Sequence, residues 1–366
     1  MKKILVLGQT PPPFGGQAIM IKRMLDGRYQ SARLYHVRMS FSRDMGDMGR
    51  WRPGKLLHAV AIILKVAYLR LRHDIRILYY PPSGPDYLPM LRDMAILVAV
   101  RWMFSKTIFH FHAAGISEAY PSLPSILRAA YRWSYFEPDL AIQLSEFNPD
   151  DAAVLLARTR VIVPNGIDDD FLALQSTKRP EHEICTILFV GMVSEAKGVL
   201  VLIDAIRIVK QNGLQVKVNV VGQFASEEFR QKVIGRLAAY GLTEDFDFKG
   251  VLVGEAKSQQ YLNADIFCFP TFFESESFGL VVVEAMLFSL PVIATRWRGV
   301  QSLVQDGETG FLASPHDSQA IADKVLVLAS DSALRVRLGM NGRKQFLAKY
   351  TVEKFRQRMD ECFAAV

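Results

Sequence analysis

The sequence contains few cysteines and no run of apolar residues long enough to cross a membrane. Its three cysteines, Cys185, Cys268 and Cys362, are scattered along 366 residues and lack the paired spacing of a metal site. Cys185 and Cys268 lie in apolar runs, which favours buried thiols and a reducing compartment. Because no apolar run approaches the ~20 residues of a membrane span, we expect a protein that does not cross a bilayer.

The composition is that of a globular protein with about two domains. Half of the residues are hydrophobic and 22% are charged, which excludes a disordered chain. The short apolar run at 4–7 ends at Gly8, which is typical of a first strand and not of a signal peptide. We therefore expect a cytoplasmic location, with peripheral contact to the inner face of the plasma membrane as a further possibility.

The two halves of the chain differ in charge. Residues 1–165 contain 22 Lys and Arg against 12 Asp and Glu, a net charge of +10, whereas residues 166–366 carry −3. A basic half is typical of proteins that bind nucleic acid or anionic membranes. No nucleic-acid motif accompanies the charge, so an anionic membrane surface is the favoured partner and no nucleic acid is expected.

Two stretches of the basic half are candidates for membrane contact. Apolar residues recur at helical spacing in residues 51–72 and are surrounded by lysine and arginine, and residues 92–101 repeat the theme. Such a basic amphipathic helix is able to lie on a membrane interface. The alternative is a core helix with a solvated basic face. The apolar positions are Leu56, Leu57, Val60, Ile63, Leu64, Ala67, Tyr68 and Leu71.

Strand and helix patterns alternate along the chain and predict an α/β fold. The polar stretch from Pro164 to about Glu183 is interpreted as a linker, in which Asp168 to Asp170 form a turn. The predicted strands before it are 4–7, 75–80, 107–111, 140–144 and 161–163. Those after it are 186–190, 216–221, 246–249, 265–270 and 291–295.

Two glutamates flank the start of a predicted helix in the stretch Thr271 to Ala285. Glu276 precedes the helix and Glu284 lies within it, so both carboxylates are able to converge on one ligand. The N–H groups at the helix start suit a phosphate. The alternative is a capping acid followed by a solvated glutamate.

Two further candidates follow strands in the first half. Gly15 and Gly16 come after three prolines in a strand–loop–helix passage that suits phosphate, although a plain turn explains them equally well. His110 and His112 lie on one side of a strand by alternation, and His112 is at its carboxyl end. A ligand or a satisfied core histidine fits that position.

Several motifs together resemble the retaining GT-B glycosyltransferases of family 4, with two Rossmann-like, doubly wound domains facing a central cleft. The resemblance covers nearly the whole chain and is strongest from about Val161 to Phe311. The expected domains are 1–170 for the acceptor, 171–350 for the nucleotide sugar, and a C-terminal helix at 351–366 that returns to the first domain. The motifs are PPPFGG at 11–16, His112, PNGID at 164–168, EAKG at 195–198, and ESFGL at 276–280 with Glu284-Ala285.

The resemblance implies a role for each of these residues. Glu276 would bind the donor sugar, Lys197 would stabilise the departing diphosphate, and His112 would lie near the reacting sugar carbon. Glu284 would hold the ribose. The implied substrate-binding residues are Gly15, Gly16, Gly191, Gly222, Val251, Leu252, Ser277, Phe278, Gly279, Leu280 and Glu284.

The resemblance also implies that the chemistry needs no metal and no cofactor, since the nucleotide sugar is a substrate. The chain departs from the family at Met192, where an arginine beside the diphosphate is usual. Losing one cation there costs about 1–3 kcal/mol of charge-assisted bonding.

The expected function is retaining transfer of a hexose from a nucleotide sugar, a UDP-sugar such as UDP-glucose, to a lipid-linked or oligosaccharide acceptor in cell-surface or exopolysaccharide synthesis. Family precedent makes the stereochemistry retaining. Met192 keeps open a non-catalytic subunit that binds sugar nucleotides or polysaccharide. A GT-B epimerase is the third possibility.

Overall fold

The computed structural model describes residues 1–12, 15–41, 53–169 and 183–366, with side chains in the helix that begins at Pro53 described from Leu57 onward. The chain forms two compact units. The first contains Met1–Gly166 with Val352–Val366, and the second contains Ile167–Thr351. The boundaries expected from the sequence were residues 170 and 350.

The first unit is a parallel sheet covered by helices. Strand β1 is almost wholly buried because Ile4 to Leu7 pack on both faces, as in sheets sandwiched between helix layers. The strand order is β2-β1-β3-β4-β5-β6. The strands are β1 Lys2–Gly8, β2 Ala32–Arg38, β3 Ile77–Tyr80, β4 Lys106–His110, β5 Leu140–Gln143 and β6 Thr159–Ile162. The helices are α1 Gly16–Leu25, α2 Pro53–His73, α3 Tyr87–Val100, α4 Ser125–Tyr135 and α5 Asp151–Val154.

The second unit repeats this architecture. Its parallel strands follow the order β12-β11-β10-β7-β8-β9, so both units are doubly wound as predicted. The strands are β7 Cys185–Val190, β8 Val216–Val221, β9 Phe246–Gly250, β10 Ile266–Phe269, β11 Val292–Thr295 and β12 Gly310–Ala313. The helices are α6 Val199–Gln211, α7 Glu227–Tyr240, α8 Gly254–Leu262, α9 Leu280–Leu287, α10 Ser318–Ser330 and α11 Ser332–Lys349.

The last helix, α12 Val352–Ala365, packs in the first unit. Its Asp360 carboxylate accepts hydrogen bonds from the backbone N–H groups of Gln30 and Ser31 at 3.1 and 3.0 Å. Its Arg356 donates two hydrogen bonds to the carbonyl of Arg23. These contacts fasten α12 to the last turn of α1 and to the residues just before β2.

Helices α2, α3 and α4 cover one face of the first sheet. The strand order makes β2→β3→β4→β5 progress in one direction, and right-handed crossovers place their connecting helices on the same face. Helix α3 accordingly packs between α2 and α4. Helix α1, whose crossover runs in the opposite direction, packs on α12 instead.

Of the apolar positions that the sequence grouped on α2, Ile63 packs against the core, whereas most of the others are exposed. Ile62 and Val66 are buried against the sheet, while Leu57, Leu64 and Leu71 are exposed. Helix α2 therefore packs on the core, and its solvent face is apolar as well as basic. No helix in the described ranges is both long and apolar enough to cross a bilayer.

Candidate active site

The predicted residues of the second unit gather where four neighbouring strands end. Strands β10, β7, β8 and β9 are adjacent and parallel, so the segments after them share one edge of the sheet. That edge carries Gly191 after β7, Gly222 after β8, Val251 after β9 and the stretch from Thr271 after β10. Ligands of open α/β sheets bind at this carboxyl edge.

Gly222 allows two of these strand ends to approach each other. A Cβ on Gly222 would lie 1.8 Å from the carbonyl oxygen of Gly191. The Gly222 N–H donates to the Gly250 carbonyl at 2.8 Å, which aligns the end of β8 with that of β9. Gly222 thus has a packing role, and its contact with substrate stays a prediction, as does that of Gly191.

The loop after β7, residues 191–198, contains Lys197 and is called the lysine loop; it rests directly on the end of β10. The Phe272 N–H donates to the Ala196 carbonyl at 2.8 Å, and a Cβ on Gly198 would lie 2.0 Å from the carbonyl oxygen of Pro270. Gly198 also has φ +80°, a left-handed conformation that glycine favours. This close packing fixes Lys197 beside the glutamate stretch.

Lys197 and Glu276 form a salt bridge across this contact. The Lys197 ammonium donates to Glu276 Oε2, and their side chains are only 18% and 11% exposed. The ammonium also lies 4.5 Å from the centre of the Phe273 ring. The two residues assigned to diphosphate and sugar therefore neutralise each other.

Glu284 is held by two residues of α8 that the sequence reasoning missed. Its Oε1 accepts from the Lys257 ammonium at 2.7 Å, and its Oε2 accepts from the Tyr261 hydroxyl at 2.7 Å. Burial, with the Glu284 charge as a second cause, holds the pKa of Tyr261 well above its usual range, so the hydroxyl remains a donor. The sequence pattern that could have pointed to both residues is their i,i+4 spacing, which places Lys257 and Tyr261 on one face of a helix.

The helix after the glutamate stretch begins later than predicted. The apolar run at 278–288 predicts a helix of that length, whereas α9 spans Leu280–Leu287. Ser277 and Phe278 are buried in the preceding turn, and Gly279 adopts φ +85° as the residue before the helix. Glu276 thus precedes the helix and Glu284 lies inside it, as expected from the sequence.

The end of β11 also holds the stretch that contains Glu276, a contact that the sequence did not predict. Trp297 Nε1 donates to the Phe273 carbonyl at 2.8 Å, and Thr295 Oγ1 donates to the carbonyl of Thr271. Both donors follow or end β11, which is the neighbour of β10. The backbone around Glu276 is therefore held by β11 as well as by the lysine loop.

The remaining predicted residues of this edge are accessible. Val251 is largely exposed and Leu252 is half-buried at the end of β9. Met192 is half-buried in the loop after β7. In the described ranges no three His, Cys, Asp or Glu side chains lie close enough to hold a metal ion. Metal-independent chemistry stays a prediction.

In the first unit, His112 lies against a buried hydrogen-bonded histidine. The rings of His110 and His112 are 4.0 Å apart, which confirms that both face the same side. Tyr79 OH and His110 Nδ1 are hydrogen-bonded at 2.7 Å. Burial lowers the pKa of His112 to about 3 and also holds the pKa of His110 well below its usual range. Both imidazoles are therefore neutral at physiological pH.

Gly15 and Gly16 lie at the start of α1, as predicted. Gly15 precedes the helix with φ −92°, and a Cβ added to it would meet no atom within 4 Å. Pro13 and Phe14 of the same motif lie outside the described residues. Space beside Gly15 is compatible with a ligand, and its contact with a phosphate stays a prediction.

Acidification is expected to destabilise the first unit through His112. Because the folded pKa of about 3 lies below the unfolded value of 6.5, the unfolded chain binds more protons between these values, and stability falls as pH decreases through this window. At about pH 5 the loss from His112 is about 2 kcal/mol relative to about pH 7.5. Urea unfolding of wild type and His112→Asn at both pH values measures it. An unchanged pH dependence in the variant would contradict a neutral, buried His112.

Comparisons with known proteins find similarity to glycosyltransferases. The family model for glycosyl transferases group 1 matches residues 175–345. The capsular polysaccharide biosynthesis glycosyltransferase CapM of Staphylococcus aureus is 30% identical over 205 residues, covering 54% of this chain and 52% of CapM. A phosphatidyl-myo-inositol mannosyltransferase of Mycobacterium leprae is 35% identical over 185 residues, covering 50% and 47%. The chain spans about half the length of these curated relatives.

Solved structures match over the full length. Anabaena HepE in complex with UDP superposes with a TM-score of 0.73 at 19% identity, covering 100% of both chains. Sucrose-phosphate synthase from Thermosynechococcus elongatus gives 0.73 at 18% identity, covering 100% of this chain and 99% of that one. At these identities the similarity establishes the fold, which is GT-B with two Rossmann-like units.

Proposed function

We propose that this GT-B protein is a glycosyltransferase that moves a hexose from a nucleotide sugar to an acceptor, because the family model for glycosyl transferases group 1 matches residues 175–345. The observation that carries the proposal is the Lys197–Glu276 salt bridge at one edge of the second sheet, with Glu284 in the helix that follows. The Lys197 cation would bind a diphosphate, and the two carboxylates would accept hydrogen bonds from the hydroxyls of a sugar and a ribose. The second unit is the proposed donor-binding domain and the first the acceptor-binding domain.

Donor binding exchanges the partners of Lys197. The diphosphate accepts from the Lys197 ammonium in place of Glu276, and the released carboxylate accepts hydrogen bonds from the sugar hydroxyls. Glu284 accepts from the ribose hydroxyls while Lys257 and Tyr261 fix its position. After the exchange Lys197 is still paired with a negative charge, and the Glu276 carboxylate is still hydrogen-bonded.

Transfer with retention follows from a front-face reaction. The bond between the sugar C1 and the diphosphate oxygen breaks, and the acceptor oxygen bonds to C1 on the same face. The acceptor proton passes to the departing diphosphate, whose charge Lys197 stabilises. Glu276 positions the sugar and forms no covalent bond to it. The neutral His112 is proposed to face the developing positive charge at C1.

UDP-glucose is the proposed donor, and a lipid-linked or oligosaccharide acceptor is proposed in cell-surface or exopolysaccharide synthesis. HepE, which shares the fold, was solved with UDP and with UDP-glucose. One relative is named for capsular polysaccharide and another for phosphatidyl-myo-inositol. With a net charge of +10 over residues 1–165, an anionic membrane is the proposed partner of the first unit, on the cytoplasmic side.

Thermal unfolding with a panel of nucleotide sugars, followed by a transfer assay, tests the proposal. A true donor at about 100 times its Kd stabilises the protein by about 2.7 kcal/mol. Glu284→Gln is expected to weaken donor binding about tenfold, because the amide accepts fewer ribose hydrogen bonds and leaves Lys257 without its charge partner. Val327→Gln, an exposed residue on α10, is the matched control.

The same experiment decides between the alternatives. Met192 favours a non-catalytic subunit, since one expected cation is replaced, and that function predicts donor binding without turnover. An epimerase would release free sugar and no glycoside. The transferase proposal fails if no nucleotide sugar is turned over and Glu276→Ala changes neither binding nor activity.

A further inference from the structure

We propose that the outward faces of α2 and α3 dock the first unit onto a bilayer of anionic lipid, with both helices lying along the surface. The inference rests on the membrane partner proposed above and assigns the residues that make the contact. The identity of the donor sugar does not enter it.

Helix α2 presents an apolar stripe to solvent. The stripe residues recur every three or four positions and occupy an arc of about 80° at 100° per residue. Leu64 is 65% exposed and Leu71 is 75% exposed, while Ile62 and Val66 on the opposite side are buried. The exposed stripe consists of Leu57, Val60, Leu64, Tyr68 and Leu71. One apolar face of α2 packs on the core, and the other remains in solvent. Folding therefore leaves apolar surface of α2 unburied, which is typical of an interaction site.

Helix α3, which packs beside α2 over the same sheet, adds a second stripe. Leu88 and Val98 are exposed on it, and Trp102 in the turn after it is 69% exposed. The Trp102 indole N–H is already bonded to the Ala99 carbonyl at 2.9 Å, so its ring is free of hydrogen-bonding demand. Tyr68 and Trp102 are of the residue types that prefer membrane interfaces. We call the stripes of α2 and α3 the docking surface.

The charge around the docking surface selects an anionic partner. Residues 53–73 contain four Lys and Arg and no Asp or Glu. The exposed Lys65 and Arg72 flank the α2 stripe, which places ammonium and guanidinium groups beside apolar side chains. In such an arrangement the basic groups bind lipid phosphates, and the leucine side chains insert at the boundary between headgroups and acyl chains.

A second copy of the chain fits this surface poorly. Two docking surfaces placed face to face would bring Lys65 and Arg72 of one chain near the same basic groups of the other. Like charges in a desolvated contact are unfavourable, whereas anionic lipid neutralises them. A bilayer also accommodates stripes on two helices without requiring shape complementarity.

Co-sedimentation of the full chain with vesicles tests the proposal. We expect binding to phosphatidylcholine vesicles that contain phosphatidylglycerol, and little binding to pure phosphatidylcholine. Leu64→Asp and Leu71→Asp are each expected to lower the partition coefficient about tenfold, since each removes an apolar side chain and adds a repelled charge. Lys65→Gln with Arg72→Gln is expected to lower it and to flatten its salt dependence.

Met340→Asp is the matched control, because Met340 is 63% exposed on α11, a helix that also carries basic and no acidic residues. It should leave vesicle binding unchanged. Absence of binding at low salt, retention of binding by Leu64→Asp, or an equal loss in Met340→Asp would overturn the proposal. So would wild-type self-association that Leu64→Asp abolishes without any vesicle binding. Donor stabilisation is measured on the same variants without vesicles, so failure of the docking surface is distinguishable from failure of the transferase proposal.

Discussion

Lys197→Met is expected to lower kcat for sugar transfer by about 10²–10³-fold, because the departing diphosphate loses the cation that stabilises its charge. The effect should be large here, since Met192 stands where a second cation is usual. Steady-state kinetics with the donor found by thermal unfolding provide the measurement. A reduction below about threefold would show that another group stabilises the diphosphate.

The same substitution is expected to destabilise the ligand-free protein. Without Lys197, the Glu276 carboxylate stays largely buried with no opposite charge, which costs about 2 kcal/mol. Lys197→Met combined with Glu276→Gln removes both charges and should recover most of that stability, while activity remains lost. Urea unfolding of the two single variants and the double variant completes the cycle. Additive changes would refute the salt bridge.

Gly198→Ala is expected to destabilise the second unit by about 4 kcal/mol or more, or to prevent its folding. The new Cβ would lie 2.0 Å from the Pro270 carbonyl oxygen, and neither backbone segment yields easily because the Phe272 N–H binds the Ala196 carbonyl. Conformational strain at φ +80° adds to the overlap. Chemical unfolding measures the loss.

Gly213→Ala separates conformational strain from overlap. Gly213 has φ +81°, nearly the value at Gly198, yet a Cβ there meets no atom within 4 Å. Its substitution should cost about 1–2 kcal/mol from backbone strain alone. Similar losses in the two variants would mean that the lysine loop is able to move away from β10.

The buried parallel strands were predictable from sequence because each is a short continuous apolar run between turn residues. Strands β7, β8 and β10 were found within one or two residues of their observed ends. Strand β2 was not predicted. Among the described residues only β1 pairs with it, and Arg33, Tyr35, His36 and Arg38 interrupt its apolar residues. A strand at the edge of a sheet is less buried and contains fewer apolar residues, so it is harder to predict from an apolar run.

For the candidate site, sequence identified residues and not their partners. Glu276, Lys197 and Glu284 were found from motifs and the order of strands. Their contacts depend on how segments far apart in sequence pack, and a local pattern does not identify the partner. Lys257 and Tyr261 are the clearest example, since they act on a glutamate more than 20 positions away.

The return of α12 has a consequence for synthesis of the protein. Ile167 donates its N–H to the Tyr350 carbonyl at 2.9 Å, so the first and last residues of the second unit are neighbours. It is inserted within the first unit, whose α1 and β2 are sealed by Asp360 and Arg356. On the ribosome, the inserted unit is complete before the unit that precedes it, which reverses the usual order of folding from the N-terminus. Until residues 352–366 emerge, the first unit lacks α12 and the residues that α12 covers remain exposed.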